Sequence, residues 1–202
     1  MSMQKNATPA RPLLRPAIGL AVATMLVFGL GYSLAATGIA AVAFPAQAQG
    51  SLIERDGVIV GSSLVAQPFA DARYFAPRPS AADYDPMALA GSNQARTNPE
   101  LRATIAGNVE AVAAREGIAA SEVPGDLVTR SGGGIDPHVS PDGARVQVAR
   151  VADARGLDGA QVQALVDAHT QGKTFGLLGA PRVNVLELNL ALDALSAERG
   201  AQ

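Results

Sequence analysis

Three side chains of kinds that do chemistry fall in one short stretch, Ser131-Gly132-Gly133-Gly134-Ile135-Asp136-Pro137-His138-Val139-Ser140. Ser131, His138 and Asp136 are the residue types of a nucleophile, a base and the carboxylate that orients it. Their setting argues against that use. No G-x-S-x-G elbow occurs in the chain, Ser131 reads as a turn residue, and Ser140, ahead of Pro141, reads as a helix cap. Asp136 and His138 flank Pro137, and at i, i+2 in extended chain they could offer two ligands to a metal. Two ligands make an incomplete shell, and the other histidine, His169, falls in an expected helix. A loop held by hydrogen bonds fits better, with Asp136 accepting backbone N–H groups and His138 donating to a carbonyl. Gly172-Lys173-Thr174 has the tail of a phosphate-binding loop, but Asp167 stands where its first glycine is required. The expected element before it is a helix and not a strand, so Gly172 reads as a helix stop.

The elements that position these residues are expected to form an α+β domain. Leu52 to Val60 reads as a hairpin turning at Asp56-Gly57. Gln67 to Ser92 is rich in proline and aromatics and lacks periodicity, which predicts a long ordered loop. A helix is expected with Asn98 as N-cap, Pro99 at its first turn, Leu101, Ile105, Val109 and Val112 on one face, and Gly117 at its end. Asp126 to Thr129 reads as a short strand. A second helix is expected from Ser140-Pro141 to about Gly156. A third begins at Asp158, with Gln161 completing a capping box and Leu157 and Val162 a hydrophobic staple. The last spans Val185 to about Glu198, with Val185, Leu188, Leu192 and Leu195 on one face.

Ahead of this domain, Ile18 to Phe44 contains no charged residue, His, Asn or Gln. It is about 27 residues long, and at about 1.5 Å per residue it spans roughly 40 Å, enough to cross a bilayer core of about 30 Å. Ala46-Gln47-Ala48 has the pattern of a signal-peptidase site, but the apolar run far exceeds a signal core. A retained anchor is expected, with residues 1–15 as a cytoplasmic tail, 16–44 as the membrane helix and 45–202 as one domain outside the cytoplasm. Lys5, Arg11 and Arg15 form a basic flank with no acid, which keeps the N-terminus in the cytoplasm. Gly29, Ser33, Thr37 and Ala41 recur every four residues and predict a face on which a partner helix packs.

All 18 acidic residues follow the apolar segment, against 13 of the 16 basic ones. This excludes a basic surface for nucleic acid. Cysteine is absent, so disulfides, thiol chemistry and thiolate metal sites are excluded.

A collinear series of segments resembles the C subunit of the Kdp-type potassium-transporting ATPase of bacteria. The segments are FPAQAQGSLIER at 44–55, VGSSLVAQPF at 60–69, YFAPRPSAADY at 74–84, GSN at 91–93, DLVTRSGGGIDPHVS at 126–140 and VNVLELN at 183–189. Two small departures are Pro68 after Gln67, and Gly133 where the family commonly has serine.

The resemblance implies a complex of a channel-like potassium-binding subunit, a P-type ATPase catalytic subunit, a small peptide subunit and this chain. It implies a bacterial inner-membrane address and no cofactor on this chain, with ATP and K+ handled by the rest of the complex. The family is described as a catalytic chaperone that raises the ATP affinity of the catalytic subunit. A domain outside the cytoplasm reaches a cytoplasmic nucleotide site only allosterically, so the expected role is a non-catalytic one in assembly and at the potassium entrance. The resemblance marks as partner-facing or structural loop residues Gln67, Phe69, Tyr74, Phe75, Arg78, Ser80 and Asn93, then Ser131, Gly132, Gly134, Asp136 and His138. The alternatives are an anchored periplasmic hydrolase using Ser131, Asp136 and His138, and a secreted binding module released by cleavage after Ala48.

Overall fold

The computed structural model describes residues 13–200, the side chains of the last three excepted. Lys5 and Arg11 of the basic flank lie outside the described residues. The chain divides into two compact units, up to Gly50 and from Ser51 onward.

The first unit is one long helix, α1 (Leu14–Ala43), of 30 residues, long and apolar enough to cross a membrane. Its middle, Met25–Tyr32, is π-helical. Thr24 Oγ1 donates to the Leu20 carbonyl at 2.8 Å, satisfying a polar side chain on its own helix. Phe44 leaves the helical conformation, and α2 (Pro45–Ala48) adds one short turn.

The second unit mixes helix and sheet. The hairpin forms as its turn residues dictate, from β1 (Leu52–Arg55) and β2 (Val58–Ser62). Asp56 and Gly57 both take positive φ, 54° and 77°, as a two-residue hairpin turn that matches strand twist requires. The register shifts between Ile53 and Glu54, which leaves a bulge on the partner strand.

Residues 67–98 contain no helix or strand. This long loop is ordered by the helices that follow. The first of these, α3 (Pro99–Glu116), starts as expected. The Asn98 side chain accepts from the Glu100 N–H, and Gly117 ends the helix at φ 68°. Val112 is buried, and Ile105 and Val109 pack against the core.

Asp126–Thr129 is not a strand. Gly125–Leu127 is a 3-10 turn, because Asp126 turns its carboxylate onto Ser140 and the adjacent Leu127 and Val128 are both buried. The expected helix from Ser140 to Gly156 is two helices, α4 (Pro141–Arg145) and α5 (Val148–Arg155). The break lies at Gln147, whose N–H bonds the carbonyl three residues back, at Ala144. Its fully buried side chain is committed to the long loop. Ser140 caps α4 as expected, accepting from the Gly143 N–H at 2.9 Å.

Asp158 caps α6 (Gly159–Ala168) by accepting from the Ala160 N–H. α6 ends at His169, short of Gly172. The chain then enters β4 (Thr170–Gln171), so Gly172 is not a helix stop. β4 pairs with β5 (Arg182–Asn184), which also pairs with β3 (His138–Val139), giving an antiparallel sheet of order β3-β5-β4. α7 (Val185–Gly200) follows without a loop, and Asn184 Oδ1 accepts the Glu187 N–H.

The core lies between this sheet and α3, α5, α6 and α7. Phe75, Val151, Val162, Val183, Leu188 and Leu192 are completely buried in it. At roughly 1.5–3 kcal/mol for each such side chain, this packing is the main source of stability in a domain without disulfides.

Candidate functional site

Apart from Asn93 and the small residues of α1, the residues singled out from the sequence fall in two loops that the fold stitches together, 67–84 and 131–140. The first is threaded through the domain, and buried amides stand in for the strand partner it lacks. Asn189 accepts from the Phe75 N–H at 2.9 Å and donates to the Phe75 carbonyl at 3.0 Å. Gln147 does the same for Ala76, at 2.8 and 3.2 Å. Each amide supplies one donor and one acceptor at the spacing a strand neighbour would. Phe75 is thus core, and its backbone and that of Ala76 are each held at both polar groups.

Beside it, Arg150 donates to the carbonyl of Tyr74 at 3.0 Å, to that of Ala72, and to Gln147 Oε1 at 2.9 Å. Its charge is met by Glu116, whose side chain is wholly buried, at 2.8 Å. Phe69 packs against Tyr74 with ring centroids 5.5 Å apart and the planes tilted by 41°, and Arg155 lies 4.7 Å above the Tyr74 ring. Asp193 collects Arg155 at 2.8 Å, Arg55 of the hairpin at 3.1 Å and the Tyr74 hydroxyl at 3.2 Å. Gln67 donates to the Val60 carbonyl at 2.9 Å, tying the loop's start to β2.

The second loop docks on the first. Ser80 Oγ donates to the Gly134 carbonyl at 2.6 Å and accepts the N–H groups of Ala82 and Tyr84. The Ser131 N–H reaches the Pro79 carbonyl, and the Ala66 N–H reaches the Ile135 carbonyl. Of the three consecutive glycines only Gly134 has positive φ, 77°, and a Cβ there would lie 2.8 Å from the Cβ of Ala82. Gly132 is exposed, its carbonyl 2.7 Å from where a Cβ on Gly91 would stand. Asn93, also exposed, has φ 49°.

Asp136 is the hub of the second loop. Oδ1 accepts the His138 N–H at 3.0 Å and lies 3.3 Å from His138 Nδ1, while Oδ2 accepts from Arg78 Nη1 at 2.9 Å. His138 therefore meets a carboxylate and not the backbone carbonyl expected from the sequence. Burial opposes ionisation of Asp136, but the hydrogen bonds from the His138 side chain and backbone and from Arg78 outweigh it. The carboxyl is held below its ordinary value. Burial acts in the same direction on the Tyr84 hydroxyl, which it pushes up, and that hydroxyl donates to the Arg78 carbonyl at 2.8 Å. The Arg78–Asp136–His138 cluster lines an open groove of about 330 Å³ with Asp126, Ser140 and Arg182.

What this arrangement does chemically is hold shape and present charge. No hydrogen bond joins His138 to Ser131 among the described residues, and Ser131 is buried, so a hydrolytic centre finds no support. Among the described residues no group of three or more His, Asp or Glu is placed to hold a metal ion. Gly172-Lys173-Thr174 leads into a turn closed by Thr174 and Leu178 and not into the helix that a phosphate-binding loop opens.

Sequence reasoning missed Glu116, Gln147, Arg150 and Asp193, which order the long loop. It also missed Asp126, which accepts from the Ser140 N–H at 2.6 Å. A polar residue at a core position of an otherwise apolar helix face, as at Gln147 and Asn189, was the available signal. Gly29, Ser33, Thr37 and Ala41 are all exposed on α1, with Gly29 inside the π-helical stretch and the other three beyond it.

Comparison with known proteins covers nearly all of this chain. The KdpC family model, K+-transporting ATPase, c chain, matches residues 14–194. The chain is 62% identical over 179 residues to the potassium-transporting ATPase KdpC subunit of Xanthomonas campestris pv. campestris (strain B100), covering 89% of this chain and 86% of that one. It is 52% identical over 183 residues to the same-named subunit of Sorangium cellulosum (strain So ce56), covering 89% and 96%. Against that of Dechloromonas aromatica (strain RCB) the identity is 49% over 189 residues, covering 92% and 99%.

Proposed function

This chain belongs to the KdpC family, the accessory c chain of the K+-transporting ATPase, and on that premise we propose how it serves the complex. It is a non-catalytic subunit, anchored in the bacterial inner membrane by α1 with its N-terminus in the cytoplasm and its domain outside. It stabilises the assembly of the channel-like potassium-binding subunit with the P-type catalytic subunit and the small peptide subunit, and it shapes the potassium entrance. ATP hydrolysis resides on another chain, and any effect of this subunit on nucleotide affinity is allosteric.

The observation that carries this reading is the use made of the polar side chains. Both oxygens of Asp136, both faces of Gln147 and of Asn189, and the Glu116–Arg150 pair are all engaged in holding backbone and loop positions. A surface fixed so firmly suits recognition, because a preordered loop loses little entropy when a partner docks.

The test uses the whole complex. A tagged full chain carrying Asp136→Ala is purified from solubilised membranes, and the co-purifying ATPase subunits and the turnover per assembled complex are measured. Recovery of assembled complex falls, and turnover per complex is retained. Full assembly with abolished turnover would overturn the proposal and assign Asp136 a direct part in transport.

A further inference from the structure

Between β4 and β5 the chain projects a closed turn whose surface the domain does not use. Thr174 and Leu178 exchange both backbone hydrogen bonds, at 2.9 and 3.0 Å. The Leu177 N–H also reaches the Thr174 carbonyl, and the Gly176 N–H reaches the Lys173 carbonyl. These donors are satisfied inside the turn, so it can leave water without stranding them.

Its side chains are apolar and bare. Phe175 is 90% exposed, Leu177 82% and Leu178 63%. Phe175 also takes φ 54°, a left-handed conformation unfavourable for a bulky residue, between Thr174 and Gly176, itself at 74°. Folding of the chain rewards neither the strained backbone nor the exposed ring. Clustered exposure of this kind marks a contact surface.

Charge narrows the choice of partner. From Ala168 to Leu186 there is no acidic residue, and Lys173 and Arg182 stand at the base of the turn. Arg182 is fixed there by its register with Gln171. The tip is thus an apolar knob with a cationic collar, on a domain in which acids outnumber bases.

We infer that the Phe175–Leu178 tip is a plug that inserts into an apolar, acid-rimmed pocket on another subunit of the same ATPase. This rests on the accessory-subunit reading above. An anionic lipid surface would accept an apolar tip with two cations. However, the surrounding acidic excess opposes approach to such a surface, and the tip has neither the Tyr nor the Trp of an interfacial anchor. A protein pocket gains most from what the turn offers, a rigid aromatic anchor already in its bound shape.

The test keeps the full chain in its complex. The double variant Phe175→Ser, Leu177→Ser lowers recovery of the other ATPase subunits with the tagged chain by about tenfold or more, the loss expected of a central anchor. Phe175→Trp preserves recovery, and Lys173→Glu lowers it. Thermal unfolding of the solubilised chain is unchanged in all three, because the altered side chains are exposed. A benzophenone side chain in place of Phe175 gives, on irradiation in membranes, an adduct with an ATPase subunit identified by mass. Undiminished recovery with the double variant overturns the plug and leaves the subunit reading standing. So does an adduct with lipid alone, or no adduct. If the unaltered chain recovers no ATPase subunit, the subunit reading itself fails and the plug with it.

Discussion

At the scale of single residues, the domain depends on polar side chains that answer backbone groups. Gln147 is completely buried and serves both the N–H and the carbonyl of Ala76. Gln147→Leu fills nearly the same space but takes a partner from three backbone groups, the N–H and carbonyl of Ala76 and the Gly143 carbonyl, at about 1–3 kcal/mol for each left buried and unpaired. Thermal unfolding of the detergent-solubilised chain is expected to shift down accordingly, and an unchanged midpoint would show that the pairing contributes nothing. Asp136 gives the domain a dependence on pH. Its folded-state carboxyl is held below the ordinary value, so the folded chain binds fewer protons than the unfolded one between the two. Stability from this group is complete above the ordinary carboxylate value, about 3.9. It is lost as pH falls through the lowered one. Asp136→Asn is expected to flatten the acid limb of stability against pH in that window. An acid limb identical to that of the unaltered chain would remove Asp136 as its source.

At the scale of elements, what could be read from the sequence is what local chemistry decides. The Asp56-Gly57 hairpin turn, the Asn98 and Ser140 caps, the Gly117 stop and the start of α7 at Val185 each follow from one or two residues acting on their own backbone. What could not be read depends on distant partners. The Gln147 break answers Ala76, the turn at Asp126 answers Ser140, and the two- and three-residue strands β3, β4 and β5 have no periodicity to show before they meet. The same division holds within the site. The Asp136-Pro137-His138 turn was legible, but Arg78, which meets it from far along the chain, was not assigned that contact. Gly134 joins both kinds. Its φ of 77° excludes a side chain locally, and Ala82 excludes one by contact. Gly134→Ala is therefore expected to destabilise by about 1–3 kcal/mol, read as a lowered unfolding midpoint of the solubilised chain. In α1, Gly29 lies in the π-helical stretch, and Ser33, Thr37 and Ala41 follow in α-helix. If that face packs a partner helix, Ser33→Leu forces backbones apart where no hydrophobic drive compensates. Recovery of the complex in detergent falls, and normal recovery would remove the packing face.

At the scale of the whole molecule, the charge distribution sets the expected arrangement across the membrane. Three basic residues and no acid precede the apolar run, and all 18 acids follow it. The positive-inside bias counts Lys and Arg in short flanks and gives little weight to acids, so Lys5, Arg11 and Arg15 are expected to keep the N-terminus in the cytoplasm. Pro45 to Leu52 on the far side carries no opposing base before Arg55. A C-terminal alkaline phosphatase fusion, active only outside the cytoplasm, is therefore expected to be active, and protease added to spheroplasts is expected to digest the domain. Because the orientation is attributed to three named charges, it can be weakened by design. Lys5→Glu, Arg11→Glu and Arg15→Glu together lower the activity of the fusion, with no change in the apolar segment itself. A domain protected from external protease in the unaltered chain would reverse the topology. Retained fusion activity in the triple variant would leave the topology and remove the basic flank as its cause.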